Sequence, residues 1–287
     1  VAQRQLYAGT QMLLQTVCPR FGIDVTFVDG TQPGAFAEAV VPGKTMLVLA
    51  ETPANPRLDI VDLDALGSIV NALTVVDSTF ATPMGQRPLA HGVDLVLHSA
   101  TKGIAGHNDA TIGVVAGSED LMSWLWGFAV LHGANASPYD AYNAHRGVRT
   151  LGVRLRQQAE SARLLADFLE AHDAVSDVRY PGLASHPQHD LAVGQMQSMG
   201  GLLTFDLAGG LEAGRRFVEA TTIARQATSL GGPETLLCHS ATTTHVSLTP
   251  EELEASGIGE GTVRVSCGLE NVDDLVADFG RGLDAAR

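Results

Sequence analysis

Lysine is scarce in this chain, which carries only Lys44 and Lys102 against sixteen arginines. A chain that uses arginine almost everywhere keeps lysine where a guanidinium cannot substitute for it. The attack of an unprotonated amine on a carbonyl is such a task, because guanidinium stays protonated. Lys44 follows Pro42 and Gly43 ahead of a predicted strand, where a solvated turn explains it. Lys102 is therefore the candidate nucleophilic amine.

The neighbours of Lys102 could bind a phosphate. Ser99 and Thr101 precede it, directly after a predicted strand that ends at His98, and two glycines follow. Hydroxyls and a glycine-bearing turn at the end of a strand can cradle phosphate, and open α/β sheets bind ligands at those ends. Asp77 ends another strand, where its carboxylate could pair with the protonated nitrogen of a pyridine ring. Such pairing keeps the ring cationic, and a cationic ring can act as an electron sink.

Each of these residues also has a structural interpretation. Ser99 and Thr101 could simply form a turn, and Asp77 could cap a helix. Ser99 to Lys102 also fits the Ser-x-x-Lys pattern of penicillin-binding hydrolases. That activity requires the pattern at a helix start, with a Ser-Asp-Asn and a Lys-Thr-Gly further on. The sequence has no Ser-Asp-Asn, and Lys44-Thr45 is followed by Met46.

The elements that must position these residues alternate in the first half. Short apolar runs separated by helical patterns predict βαβ units and a mostly parallel sheet flanked by helices. We predict strands at Ile23–Val28, Met46–Ala50, Leu73–Asp77, Asp94–His98 and Ala110–Ala116, with helices at Ala35–Val40 and Val61–Ala72.

The pattern of predicted elements changes near Ser137-Pro138. Tyr139 to His172 is nearly unbroken helix former, so we predict a long connecting helix, kinked near Gly147 or Gly152. Residues 1–138 would form a large domain, and 139–287 this helix with a smaller α+β domain. In the latter we predict strands at Val175–Tyr180, Leu202–Leu207 and Thr262–Ser266, and helices at Leu211–Ala220 and Val272–Ala286.

Composition excludes several partner classes. The 287 residues are 45% apolar and carry a net charge of −14. This acidity disfavours nucleic acids and anionic membranes, so small metabolites remain. No apolar run is long enough for a bilayer, and we expect no N-terminal targeting signal.

Cysteines and histidines suggest neither disulfides nor a metal. Cys18, Cys238 and Cys267 are scattered, so we expect a reducing cytoplasm. His186 and His189 are the only close histidine pair and lack further ligands at a recognisable spacing, so we expect no metal site.

A series of short strings runs in order along the chain, and together they are specific. Through them the chain resembles the Cys/Met-metabolism family of pyridoxal-phosphate enzymes, which includes cystathionine γ-lyase, cystathionine γ-synthase, methionine γ-lyase and the O-acylhomoserine sulfhydrylases. The strings are Tyr7-Ala8-Gly9-Thr10, Glu51-Thr52-Pro53-Ala54-Asn55-Pro56, Asp77-Ser78-Thr79-Phe80-Ala81-Thr82-Pro83, Gln86-Arg87-Pro88-Leu89, Ser99-Ala100-Thr101-Lys102 with Gly106-His107-Asn108-Asp109, Tyr180-Pro181-Gly182-Leu183, Ser229-Leu230-Gly231-Gly232 and Arg264-Val265-Ser266-Cys267-Gly268-Leu269-Glu270.

The resemblance implies a fold-type I aminotransferase-like fold, a homotetramer, and pyridoxal 5'-phosphate bound by Lys102 as a Schiff base. Lys102 would also shuttle protons. By this resemblance, Tyr7 would stack on the cofactor ring and act as an acid or base, and Asn55 would hydrogen-bond the phenolic oxygen. Asp77 would pair with the pyridine nitrogen, and Ser99 and Thr101 would bind the phosphate. Arg264 would bind the substrate carboxylate, and Ser229 would position Lys102 or that carboxylate. Without the resemblance, Arg264 would be interpreted as a strand arginine on an exposed edge.

The implied reaction is γ-elimination on a sulfur amino acid, such as cystathionine, methionine or homocysteine, giving a 2-oxo acid, ammonia and a thiol. Two alternatives stay open: γ-replacement, as in an O-acylhomoserine sulfhydrylase or cystathionine γ-synthase, and a truncated relative without activity. The family's stacking tyrosine is Tyr7, so the preceding quarter to third of the usual chain has no counterpart in these residues. That part normally supplies a phosphate-binding turn, and a Tyr and an Arg for the neighbouring subunit.

Two local departures and one further resemblance bear on the substrate. Gly9 stands where methionine γ-lyases usually have cysteine, and Thr228 where cystathionine-processing members usually have glutamate. Both departures count against those assignments. In contrast, the strings His239 to His245 and Leu248 to Glu252 look most like methionine γ-lyases and sulfhydrylases. The sequence leaves this conflict open.

Overall fold

The computed structural model describes residues 1–243 and 257–287. His245 and the Leu248–Glu252 string lie outside the described residues. The described chain forms two β-sheets joined by two consecutive helices, with further helices packed on both sheets.

The first sheet contains six strands in the order β2-β1-β3-β4-β5-β6. Neighbouring strands are parallel except β5 and β6, which are antiparallel. The carboxyl ends of the parallel strands therefore lie along one edge of the sheet. The strands are β1 Ala2–Gln3, β2 Phe27–Val28, β3 Leu47–Glu51, β4 Leu73–Asp77, β5 Leu95–Ser99 and β6 Gly113–Gly117.

The first sheet is apolar on both faces, as a parallel sheet covered by helices must be. Val48 and Val76 pack on one face with Phe36, whereas Leu49 and Val75 pack on the other. The helices of this half are α1 Ala8–Met12, α2 Ala35–Ala39, α3 Leu63–Gly67, α4 Thr82–Gly85 and α5 Glu119–His132, with a π turn at Leu13–Val17 and 3-10 turns at Cys18–Phe21 and Pro88–His91.

Two helices, α6 Pro138–Val148 and α7 Leu151–Glu170, replace the single long helix that the sequence predicts. The break falls at Arg149 and Thr150, between the two glycines where the kink was expected. Gly147 packs so closely on the backbone that a Cβ there would lie 2.0 Å from the carbonyl oxygen of Ala105. The end of α6 is therefore pressed against the turn that carries Lys102.

The second sheet contains five strands in the order β7-β8-β11-β10-β9, antiparallel except for the β10–β9 pair. Its core includes Phe205, Phe217 and Phe279, whose rings meet edge-on or tilted. Its elements are β7 Val175–Arg179, α8 His189–Gln195, β8 Leu202–Leu207, α9 Gly210–Ala220, β9 Arg225–Gln226, β10 Leu236–His239, a 3-10 turn Ser240–Thr242, β11 Thr262–Ser266 and α10 Val272–Ala286.

Most predicted elements are present, and four match residue for residue: β4, β8, β11 and α10. The prediction of a strand at Ile23–Val28 is wrong for its first four residues. The predicted helix at Val61–Ala72 is limited to α3. A Cβ at Gly67 would lie 2.0 Å from the carbonyl oxygen of His91, and Asn71 adopts a left-handed φ of 71°, which no helix tolerates. The division at residue 138 stays a prediction.

Candidate active site

One cavity of ≈540 Å³ collects every residue that the sequence singled out for chemistry. It opens where the carboxyl ends of β3, β4 and β5 meet a loop and a strand of the second sheet. The predicted residues that line it are Tyr7, Asn55, Asp77, Ser99, Thr101, Lys102, Ser229 and Arg264. Their neighbours in the wall include Glu51, Phe80, Thr111 and Thr228.

Lys102 lies in a tight turn directly after β5. Its backbone N–H donates to the Ser99 carbonyl at 3.0 Å, and its own carbonyl accepts from Gly106 at 2.8 Å. The Lys102 ammonium reaches across the cavity and donates to the Ser229 hydroxyl at 3.1 Å. Because Ser99 ends a strand and Lys102 lies in a turn, no helix starts here. The penicillin-binding interpretation is therefore wrong.

The surroundings of Lys102 destabilise its charged form relative to a lysine in solvent. Burial lowers the pKa of Lys102, and the nearby positive charge of Arg264 lowers it further. A lysine with a lowered pKa releases its proton more readily than one in solvent. Lys102 therefore has the position and the electrostatic surroundings of a nucleophile or a proton-transfer group.

Asp77 ends β4 with its carboxylate in the cavity wall. Its Oδ1 accepts from the Thr79 hydroxyl at 2.5 Å and from the Thr79 backbone N–H at 2.9 Å. These bonds form a turn, and the next helix begins only at Thr82, so Asp77 is not a helix cap. Burial raises the pKa of Asp77, although the Thr79 bonds oppose this. No cation pairs with Asp77 among residues 1–243 and 257–287.

The two candidate phosphate ligands differ. The Thr101 hydroxyl accepts from the Ile112 N–H at 2.9 Å and donates to the Ile112 carbonyl at 3.3 Å, so it already pins the turn to the following chain. The Ser99 hydroxyl has no hydrogen-bond partner in the part of the chain that the structure describes. Ser99 is therefore the freer of the two, and Thr101 combines the turn-forming role with its place in the wall.

Arg264 enters the cavity from the second sheet. It lies in the middle of β11, between β8 and β10, and its side chain is buried with 3% exposure for the residue. The exposed-edge interpretation is therefore wrong. Its guanidinium donates to Asn55 Oδ1 at 2.9 Å and to the Thr228 and Ser229 carbonyls at 2.8 and 3.2 Å. Its Nε has no partner among the described residues.

Tyr7 and Asn55 are fixed through their backbones by one carboxylate, Glu51. Glu51 Oε2 accepts from the Tyr7 N–H at 2.7 Å, and Oε1 accepts from the Asn55 N–H at 2.8 Å. Tyr7 as a residue is 56% exposed. Asn55 Oδ1 is engaged by Arg264, which leaves its amide N–H free to donate to an oxygen in the cavity.

Glu51 is the site residue that sequence reasoning missed. It appears in a family string but received no role, although a glutamate at the end of a buried strand is itself unusual. It is 4% exposed, and burial raises its pKa to about 8, helped by the charge of Asp77 and opposed by its two backbone bonds and Arg264. Glu51 and Asp77 face each other in register on adjacent strands.

The donor set fits pyridoxal phosphate. The cavity offers one primary amine for the aldehyde, hydroxyls for the phosphate, an amide N–H for the phenolic oxygen and a carboxylate for the pyridine nitrogen. The carboxyl groups of Glu51 and Asp77 share a poorly solvated wall, and neither makes an ion pair among the described residues. A cationic ring beside Asp77 would restore the charge balance that burial disturbs.

The described residues show neither a metal cluster nor a membrane helix. No group of three or more His, Cys, Asp or Glu among them could hold a metal ion. His189 Nδ1 bonds to the Pro181 carbonyl at 2.9 Å, and the His186 imidazole accepts from the Gln188 N–H at 3.2 Å. No helix in residues 1–243 and 257–287 is long and apolar enough to cross a bilayer.

Comparison with known proteins places the whole chain in one enzyme family. The profile described as "Cys/Met metabolism PLP-dependent enzyme" matches residues 1–284. L-methionine gamma-lyase of Porphyromonas gingivalis is 44% identical over 99% of this chain and 73% of its own length. O-succinylhomoserine sulfhydrylase of Pseudomonas aeruginosa is 40% identical over 99% of this chain and 71% of its own length.

Comparison of the fold with solved structures points to the same family. A crystal structure of cystathionine gamma synthase from Xanthomonas oryzae pv. oryzae, in complex with aminoacrylate and cysteine, superposes with a TM-score of 0.93 at 40% identity. The match covers 99% of this chain and 74% of that one. The predicted α/β fold with a mostly parallel sheet is confirmed. The protein belongs to the Cys/Met-metabolism family of pyridoxal-phosphate-dependent enzymes.

Proposed function

We propose that this protein is a carbon–sulfur lyase that carries out γ-elimination on a sulfur amino acid such as methionine, cystathionine or homocysteine. With water as the co-reactant, the products would be a 2-oxo acid, ammonia and a thiol. The observation that carries the proposal is the Lys102–Ser229 bond of 3.1 Å, which crosses a cavity that also holds Asp77 and Arg264. The P. gingivalis lyase, at 44% identity, supports the choice of reaction.

The chain's own residues would hold the cofactor as follows. Lys102 would bind its aldehyde, Ser99 and Thr101 its phosphate, Asn55 its phenolic oxygen, and Asp77 its pyridine nitrogen. When bound, the cofactor supplies an electron sink that stabilises negative charge on the substrate carbons. The ionised form of Asp77 would keep the ring nitrogen protonated, so the low-dielectric wall around Asp77 strengthens that pairing.

Lys102 would move the protons. Its Nζ would remove the proton from the substrate α-carbon, since its lowered pKa makes the neutral amine accessible. The Ser229 hydroxyl, 3.1 Å away, would orient that amine toward the substrate. Tyr7 would cover the cofactor ring and donate a proton from its hydroxyl to the departing γ-substituent. Tyr7 is an exposed residue in this structure.

Arg264 would bind the substrate carboxylate. Its guanidinium is held by Asn55 and two backbone carbonyls, so little side-chain entropy remains to be lost on binding. A rigid guanidinium binds a carboxylate through two parallel hydrogen bonds, which a lysine cannot reproduce. The same contact would direct the substrate amine toward Lys102.

γ-Replacement is the second candidate, in which an incoming thiol or sulfide joins an O-acylhomoserine. The P. aeruginosa sulfhydrylase, at 40% identity, favours it, as does the absence of a side chain at Gly9. A Cβ at that position would lie 2.5 Å from the Tyr7 ring. We further propose a cytoplasmic homotetramer that has no nucleic-acid or membrane partner.

Product analysis separates the two reactions. Cofactor-loaded protein is incubated with methionine, cystathionine, homocysteine and O-acylhomoserines, with and without an added thiol. Release of 2-oxobutyrate from a thioether without an acceptor supports the lyase, and the best substrate defines its specificity. Turnover that requires the acceptor and yields a thioether replaces the lyase with the second candidate. If the yellow, cofactor-loaded protein forms no product from any of these substrates, both candidate reactions are contradicted.

A further inference from the structure

Helix α7 carries two buried polar side chains, Arg154 and Gln158, one helical turn apart. Arg154 is 4% exposed and Gln158 is 2% exposed. Side chains of this kind are rarely buried unless their hydrogen bonds are made, and residues four apart lie on the same helix face. Neither residue lines the active-site cavity, yet each reaches a loop that does.

Arg154 binds the turn that follows Lys102. Its Nη1 donates to the Gly103 carbonyl at 2.8 Å, and its Nη2 donates to the Ile104 and Gly147 carbonyls at 3.2 and 2.9 Å. Its Nε donates to the Thr150 hydroxyl at 3.2 Å. A single guanidinium therefore ties the Lys102 turn to the junction between α6 and α7.

Gln158 binds the other side of the site. Its Nε2 donates to the Gly232 carbonyl at 2.7 Å, three residues beyond Ser229. The Ser229 loop is fixed again where the Gly231 N–H donates to the Ser266 hydroxyl at 2.8 Å. The same face of α7 thus holds the loops of both hydrogen-bonding partners, Lys102 and Ser229.

The two loops are packed backbone to backbone. A Cβ at Gly231, which has a φ of 78°, would lie 2.5 Å from the Gly103 nitrogen, and a Cβ at Gly106 would lie 1.9 Å from the Arg154 guanidinium. There is no room for a side chain at either contact. If a contact between α7 and either loop is lost, we therefore expect the distance between Lys102 Nζ and Ser229 Oγ to change.

We propose that Arg154 and Gln158 are positioning residues that keep Lys102 Nζ and Ser229 Oγ within hydrogen-bonding distance. This inference deepens the proposed function and rests on it, because it assumes that the Lys102–Ser229 pair serves proton transfer. Two side chains on one helix make this connection: Gln158 holds the Ser229 loop, Arg154 holds the Lys102 turn, and α7 fixes the distance between them.

The first test is a double-mutant cycle on the cofactor-loaded enzyme with Gln158→Met, Ser229→Ala and the double variant. Two readouts are taken: kcat with KM, and the pH midpoint of the visible absorbance of the bound cofactor, which needs no turnover. We expect Gln158→Met to lower kcat about tenfold and to shift the midpoint in the direction that Ser229→Ala shifts it. The double variant should be no worse than Ser229→Ala alone. Multiplicative losses overturn the inference.

The second test addresses the Lys102 turn. Arg154→Met should lower kcat about tenfold with little change in KM, and Arg154→Lys should recover only part of the loss, because an ammonium cannot span three carbonyls. Gln157→Met and Arg156→Met, at the less buried neighbouring positions, are matched controls expected to change neither readout. Should Arg154→Met fail to fold, Arg154→Lys and the Gln158 cycle decide. Full activity and an unshifted midpoint in Arg154→Lys overturn the role of Arg154.

The absorbance titration separates this inference from the proposed function. The groups that face Lys102 in the cavity are Tyr7, Glu51, Asp77 and Arg264, and none of them is altered in these variants. If Ser229→Ala changes neither kcat nor the absorbance midpoint, the Lys102–Ser229 pair is not used in proton transfer. That result would contradict this inference and the role of Ser229 in the proposed function. A strong Ser229→Ala effect with a silent Gln158→Met would overturn only the role of Gln158.

Discussion

The two walls of the active site are built in different ways. Asp77, Ser99 and Lys102 lie at or just beyond the carboxyl ends of parallel strands, in turns whose side chains face the cavity. Arg264 lies within a strand of the second sheet, is buried, and is held by three hydrogen bonds. Strand ends present groups that can exchange protons and partners, whereas a strand interior presents a fixed charge.

This difference suits the chemistry that each wall must perform. On the first wall, burial lowers the pKa of Lys102 and raises the pKa of Asp77, and in the proposed reaction Lys102 gains and loses a proton. The second wall carries a guanidinium, which stays charged even though burial lowers the pKa of Arg264. Substitutions on the first wall should therefore lower mainly kcat, whereas substitutions on the second wall should raise mainly KM.

Replacement of Lys102 with alanine is the most damaging change to the first wall. We expect Lys102→Ala to lower kcat by roughly 10⁴-fold, because both cofactor attachment and proton transfer are lost. Borohydride should fix the cofactor onto the parent protein at Lys102 and not onto the variant, which peptide mapping can read. Lys44→Ala, the other lysine, is the control and should keep full labelling. Reducible attachment in Lys102→Ala would contradict the assignment.

Arg264→Gln tests the second wall. We expect KM to rise by roughly 10²-fold with a smaller change in kcat, because a two-bond contact to a carboxylate is worth about 2–3 kcal/mol. Steady-state kinetics with the best substrate measures both constants. Arg225→Gln, on the exposed strand β9, should change neither. A loss confined to kcat would show that Arg264 acts on proton transfer and not on binding.

Glu51 connects the two walls, and its protonation should appear in stability. Its pKa is raised in the folded state to about 8 from an ordinary value of 4.5, so the folded protein retains a proton that the unfolded chain has released. The free energy of unfolding should therefore fall as pH rises from about 4.5 to 8, with a slope of at most about 1.4 kcal/mol per pH unit.

Urea denaturation of the cofactor-free protein at several pH values measures this slope. Glu51→Gln should flatten it, because the amide cannot titrate yet can still accept one of the two backbone bonds. Asp62→Asn, an exposed carboxylate whose side chain caps α3, is a control in which the slope should persist. Equal slopes in the parent protein and Glu51→Gln would show that Glu51 is not the group responsible.

The smallest expected effect lies at the rim, where Gly9 meets the Tyr7 ring. A Cβ there would lie 2.5 Å from Tyr7 Cε1, so Gly9→Cys should displace the ring and change KM by about threefold. The ring is exposed and can move, so the fold should be unaffected. Gly127→Ala, a helix position with open space around it, controls for the loss of glycine itself. An unchanged KM would show that Tyr7 does not define the substrate space.

The local sequence determined much of the architecture. The β-branched and apolar run of β4, and the alternation around Arg264 in β11, fix those strands to the residue, because short buried strands leave few registers that cover both faces. The scarcity of lysine in the sequence identifies Lys102 as the candidate amine. The motif strings assigned roles to Tyr7, Asn55, Ser229 and Arg264, all of which line the same cavity as Lys102.

Long-range packing decided what the local pattern could not. The end of α3 at Gly67 depends on the backbone of His91, and the break before α7 on a contact between Gly147 and Ala105, both distant in sequence. The role of Glu51 follows from accepting bonds from Tyr7 and Asn55, and the role of Gln158 from a carbonyl 74 residues away. Residue types and spacing thus determined which groups are available for chemistry. Only the tertiary structure decided which of them share a proton, a charge or a fixed distance, because those properties depend on burial and on partners brought together by the fold.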